Sequence, residues 1–211
     1  LVHYQEFREG RRQKSGLPIA HNAFDDACKY FDEWMKPAGE WDGVKTGAEL
    51  FDTWVIDSGT TLADCARTKG IFVLGGQGLS KTQANALSSG LLIPKMQDFG
   101  AERALLEQFI SMVLDTEKHV VLLAHEKEEW SEPPNERRVG VVPLFTGQST
   151  QRIPLKFDEV YNLRNEKRGS ALERFLQTES DGIRMAKTRR GVPTGTKWEY
   201  EEIVKALEGA K

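Results

Sequence analysis

Thr53-Trp54-Val55-Ile56-Asp57-Ser58 is a compact apolar run that ends in a carboxylate and a hydroxyl. A run this short, rich in aromatic and β-branched residues, predicts a strand buried on both faces. In an open α/β sheet, ligands bind outside the carboxyl ends of such strands, so Asp57 stands where a ligand would lie. A second run of the same kind, His119-Val120-Val121-Leu122-Leu123-Ala124, leads into His125 and Glu126. If the two strands are neighbours, His125 faces the same crevice as Asp57.

Between and around these strands the sequence alternates with helical signals. Phe24, Ala27, Cys28, Phe31, Trp34 and Met35 recur at spacings of three and four, which predicts an amphipathic helix over 20–35, closed by Pro37 and Gly39. A helix is expected at 60–68, and Leu105, Leu106, Phe109, Ile110 and Val113 form the stripe of another at 101–114. Leu1–Phe7 reads as a short strand, 38–47 as a loop, and Ile71–Leu74 as a strand before a stretch rich in Gly, Ser and Gln. The charged stretch Glu126–Arg138, with Pro133-Pro134, reads as an exposed loop. Strands are expected at Val139–Phe145, Glu159–Leu163, Leu172–Thr178 and Ile183–Thr188. A last helix is expected near 197–208, with Trp198, Ile203, Val204 and Leu207 inward. Buried strands alternating with helices predict an α/β fold: a mostly parallel sheet flanked by helices and extended by C-terminal antiparallel strands.

Composition narrows the class. The 211 residues are 39% hydrophobic and 29% charged, an ordinary globular balance. Apolar runs stop at about five residues against the roughly 20 of a membrane helix, so no membrane partner is expected. Cys28 and Cys65 sit among apolar neighbours and read as buried free thiols, which fits a reducing cytoplasm. The net charge of -3 argues against coating nucleic acid by bulk charge, although residues 137–211 carry a local excess of five positive charges.

Three places can carry chemistry. Asp57 can cap the helix that begins near Thr60, or hold a magnesium ion. His125, with Glu126 beside it, can sense a terminal phosphate or be a structural histidine. In Arg184-Met185-Ala186-Lys187-Thr188-Arg189-Arg190-Gly191-Val192-Pro193-Thr194-Gly195, strand alternation puts Lys187 and Arg189 on one face. Two such cations need water or an anion to relieve their repulsion. The histidines His3, His21 and His119 show no convergent spacing for zinc.

Taken in order, these segments resemble the RecA/DnaB-type P-loop ATPase core. Ala186–Gly195 is similar to the DnaB-family segment whose lysine and arginine reach the ATP site of the adjacent subunit. Residues 53–62, 98–126 and 141–191 resemble phage-encoded RecA-like ATPases of the single-strand annealing type, including a segment like Ile153-Pro154-Leu155-Lys156-Phe157-Asp158-Glu159-Val160-Tyr161. The resemblance implies a single ATPase domain over 1–211, with ATP and Mg2+ as cofactors and a homo-oligomeric ring or filament as the assembly. It implies that Asp57 holds the metal, with Ser58 beside it at the nucleotide, that His125 senses phosphate, and that Lys187 and Arg189 act in trans. It also implies single-stranded DNA as partner, through Lys127, Trp130, Arg137 and Arg138, in the host cytoplasm if the chain is phage-encoded. An aromatic among cations suits stacked single-strand bases.

The family's G-x-x-x-x-G-K-S/T loop does not precede Asp57. The nearest candidate is Gly75-Gly76-Gln77-Gly78-Leu79-Ser80-Lys81-Thr82, where Ser80 replaces the final glycine and Lys81 and Thr82 are the nucleotide-binding candidates. The expectation is that the strand and phosphate loop lie upstream of Leu1. The alternatives are a non-catalytic RecA-fold scaffold or DNA-binding assembly protein, or a nucleotide kinase-like enzyme that uses residues 75–82.

Overall fold

The computed structural model describes residues 5–7, 22–41, 43–71, 96–134, 136–168 and 171–209. The chain falls into two compact units: Leu1–His125 with Phe145–Ser149, and Glu126–Leu144 with Thr150–Lys211.

In the first unit, α1 (Ala23–Met35) precedes a short antiparallel hairpin, β1 (Gly39–Trp41) and β2 (Val44–Thr46). The hairpin stands where a loop is expected, because three paired residues on each side of a glycine turn suffice; Gly43 has φ +78°, a conformation that favours glycine. Then follow β3 (Thr53–Asp57), α2 (Gly59–Lys69), α3 (Met96–Leu114) and β4 (His119–Leu123). β3 and β4 pair in parallel, Thr53 opposite His119 and Asp57 opposite Leu123.

The core of this unit is largely aromatic. Phe24 and Phe31 of α1 meet Phe109 of α3 at ring distances of 5.9 and 6.0 Å. Trp54 lies 5.3 Å from Phe31 and 4.7 Å from Phe51, in edge-on or tilted contacts that aromatic quadrupoles favour. Leu106, Ile110 and Val113 complete the buried stripe of α3. Arg67 of α2 donates to the Glu102 carboxylate of α3 at 2.7 Å, and Glu102 is only 1% exposed.

The two-faced burial expected of β3 and β4 does not hold among the described residues. Both strands alternate, with Trp54 and Ile56 turned to the core side and Val55, Val121 and Leu123 exposed, Val55 at 59%. Only one face is covered by the aromatic cluster.

The second unit is built on antiparallel strands. β5 (Glu126–Trp130) pairs with β6 (Arg138–Pro143), so the expected loop 126–138 is a hairpin with Pro133-Pro134 at its turn. Its composition hides this: β5 is almost wholly charged, and pairing to β6, whose Val141 is buried, supplies the order. After α4 (Ser149–Leu155), β7 (Asn162–Arg168), β8 (Ala171–Gln177) and β9 (Thr196–Lys197) form a three-stranded sheet, and α5 (Tyr200–Gly209) packs beside β9.

The strand expected at 183–188 is reduced to isolated bridges, Val141 with Arg184 and Val160 with Lys187. Local side-chain bonds intercept its backbone: Asp181 Oδ1 accepts from the N–H groups of Ile183 and Arg184 at 2.9 and 2.6 Å, and Ser180 Oγ donates to the Arg184 carbonyl. Those two amides also hold the Asp181 carboxyl far below its usual range. Trp198 is exposed rather than inward, because Thr196–Lys197 precede it as a strand and α5 begins only at Tyr200. Of Leu1–Phe7, Gln5–Phe7 form no strand and residues 1–4 lie outside the described residues, as do 72–74 of the expected strand Ile71–Leu74. The α/β class, with parallel and antiparallel strands and flanking helices, is the observed one.

Candidate nucleotide site

The parallel ladder brings the carboxyl ends of β3 and β4 to one edge of the first unit. Asp57 ends β3 opposite Leu123, and His125 follows two residues after it. The backbone N–H of His125 donates to Thr60 Oγ1 at 3.1 Å, which ties the exit of β4 to the first turn of α2. That turn sits close against β4: a Cβ built on Gly59 would meet Leu122 Cδ1 at 2.7 Å and Phe145 Cζ at 3.2 Å. Glycine at 59 therefore permits the approach that holds Ser58, Thr60 and His125 together.

The helix cap is Ser58, not Asp57. Ser58 Oγ accepts from the Thr61 N–H at 3.2 Å and lies 3.1 Å from Thr61 Oγ1. Asp57 is exposed and makes no hydrogen bond or ion pair among the described residues. A carboxylate left free at the end of a parallel strand is available to a ligand. No group of three or more His, Cys, Asp or Glu gathers among the described residues, so they form no all-protein metal cage. One free carboxylate suits a magnesium ion that keeps several waters and takes its remaining ligands from phosphates. When bound, such an ion would neutralise charge on the phosphates.

Glu126, which opens β5, is exposed. Lys81 and Thr82 lie outside the described residues.

In the second unit, Lys187 and Arg189 are not strand neighbours on one face, because the segment is bridged only at single residues. Each cation has its own relief. Lys187 Nζ donates to the Leu155 carbonyl at 3.3 Å, and Arg189 pairs with Asp158. The backbone around them is held closely. Val160 and Lys187 exchange two backbone hydrogen bonds of 2.9 and 3.0 Å. Glu159 Oε1 accepts from the N–H groups of Arg189 and Arg190, both at 2.9 Å, and Tyr161 donates to Oε2 at 2.8 Å. Burial would raise the Glu159 pKa, but bonds from Thr188, Tyr161 and the two amides hold it below the ordinary value. Burial and the bond to Glu159 push the Tyr161 hydroxyl well up.

Nothing in the sequence marks Asp158 and Glu159 for a role at this segment. The contacts span about thirty residues of chain, so no local spacing signals them.

The DNA candidates share the β5–β6 hairpin. Trp130 pairs with Arg138 across the ladder and is 58% exposed. Arg138 donates to Glu128 at 3.1 Å; the Arg137 N–H donates to Ser131 Oγ at 3.0 Å. Lys127 is half-buried opposite Val142.

Asp57 and His125 thus stand at the carboxyl ends of a parallel strand pair, where ligands of open α/β sheets bind. The chain matches the AAA domain family over residues 6–190 and belongs to it. The domain is therefore a nucleotide-binding ATPase domain, for which ATP with Mg2+ is the usual ligand. No curated protein and no solved structure matches the chain. Among the described residues, no helix is long and apolar enough to cross a membrane.

Proposed function

We propose that this chain is a magnesium-dependent, RecA-like ATPase of phage type that handles single-stranded DNA in recombination or replication as a homo-oligomeric ring or filament. The observation that carries the reading is the free Asp57 carboxylate at the shared edge of β3 and β4, beside a His125 whose backbone is fixed to α2. In this reading Asp57 orients the metal's water shell, and His125 reports phosphate occupancy to the hairpin that begins at Glu126. Lys187 and Arg189 reach the triphosphate of a neighbouring subunit, where an arginine acting in trans contributes about 10³–10⁵ in rate. The exposed Trp130, with Arg138 across the ladder, supports base stacking, worth about 1–3 kcal/mol per base.

The test is ATP hydrolysis with and without a single-stranded oligonucleotide. Asp57→Ala should lose turnover by at least about a hundredfold while metal-free ATP still binds, given the scale of losses when charge stabilisation is removed. Arg189→Ala should abolish stimulated turnover and leave nucleotide affinity intact. Turnover that ignores both substitutions would refute the reading.

A further inference from the structure

The basic segment 187–190 raises a physical question. Exposed cationic side chains act at a distance only if the backbone beneath them is rigid, since a 1 Å misplacement can cost about a hundredfold in rate. The rigidity here comes from one carboxylate. Glu159 Oε1 receives two consecutive amides, those of Arg189 and Arg190, at 2.9 Å each. Consecutive N–H groups converging on one anion form a backbone nest, and the anion is supplied from within the chain. The far oxygen is steadied by Tyr161 at 2.8 Å, and Thr188 bonds the same carboxylate. Immediately after, Gly191 takes φ +72°, and the Val192 N–H returns to Thr188 Oγ1 at 3.1 Å. Val192 is buried, and its carbonyl accepts from Thr178 Oγ1 at 2.7 Å. The loop is thus fastened at 187, at 189–190 and at 192, while the Arg189 side chain stays outside, 70% exposed and paired with an equally exposed Asp158.

We propose that Glu159 is the positioning residue of the Arg189 finger: its carboxylate fixes the backbone from which the guanidinium is presented to the phosphates of an adjacent subunit. This rests on the trans role of Arg189 proposed above. Glu159 touches no substrate. It acts by keeping the amides of Arg189 and Arg190 in register, so its loss lowers the rate at saturating ATP and leaves nucleotide affinity alone.

The experiment compares Glu159→Ala, Glu159→Gln and Tyr161→Phe with Arg189→Ala in the full chain, reading kcat, KM and ATP affinity in the presence of a single-stranded oligonucleotide. Glu159→Ala should lower kcat by about ten- to a hundredfold with KM and ATP affinity within twofold of the parent. Glu159→Gln, which keeps an oxygen acceptor for both amides, should recover most of the rate. Combined with Arg189→Ala, Glu159→Ala should add nothing further, because both remove one contribution. Additive losses, or ATP affinity falling in step with kcat, would assign Glu159 a merely structural role and overturn the inference. If Glu159→Ala does not fold, Tyr161→Phe decides: a several-fold fall in kcat at constant affinity supports the proposal, and an unchanged kcat overturns it. Should Arg189→Ala itself turn over normally, the finger reading fails, and that result is distinct from an inert Glu159→Ala beside a dead Arg189→Ala.

Discussion

Asp57 and Ser58 are neighbours with opposite duties. The hydroxyl of Ser58 satisfies an orphan amide of α2, and the carboxylate of Asp57 takes no hydrogen bond or ion pair among the described residues. Ser58→Ala should therefore lower stability by about 1 kcal/mol, read from chemical denaturation, whereas Asp57→Ala should leave the unfolding midpoint in place. Glu159 shows the reverse case, a carboxylate committed to structure. Its folded pKa is lowered, so the stability it contributes is complete above the ordinary glutamate value of about 4.3 and is lost as pH falls through the lowered folded value. The melting-temperature gap between the parent and Glu159→Gln should be constant near neutrality and shrink below about pH 4. Cys28 is half-buried, and burial raises its thiol to about 11, so it should react slowly with thiol reagents at neutral pH.

Among the elements, α2 and α3 are joined by a charge pair that is one-sided in its burial. Glu102 is almost wholly enclosed, and its Oε1 has no hydrogen-bond partner among the described residues, while Oε2 takes Arg67 Nε. Removing Arg67 alone leaves a buried carboxylate uncompensated, so Arg67→Ala should cost about 3–5 kcal/mol, and the double change Arg67→Met with Glu102→Leu should recover most of it. Denaturant titration of the three variants checks this. The elements differ in how readable they were. The helices of the first unit and the runs around Val55 and Val121 announce themselves by periodicity, because their order comes from local apolar pattern. The β5–β6 hairpin and the 184–197 segment do not. In the first, pairing with β6 orders an acidic strand; in the second, the side chains of Asp181 and Ser180 take the backbone groups that a strand would use. Pattern reading registers neither kind of influence.

For the whole molecule, the alternation of strands and helices was the most legible feature, and the AAA domain match spans residues 6–190. The common edge for Asp57 and His125 needed only the parallel pairing of two visible strands. The fastening of Lys187 and Arg189 by Leu155, Asp158 and Glu159 leaves no local pattern, since those partners are remote in sequence. The parallel pairing has a kinetic consequence. Thr53 cannot meet His119 until the whole intervening chain has been gathered, and closing so long a loop is entropically slow. The ladder that carries Asp57 should then acquire amide protection late in refolding, after α1 is already protected, as pulsed hydrogen–deuterium labelling can time. A refolding chain would form α1, whose hydrogen bonds are local, before the edge that carries Asp57.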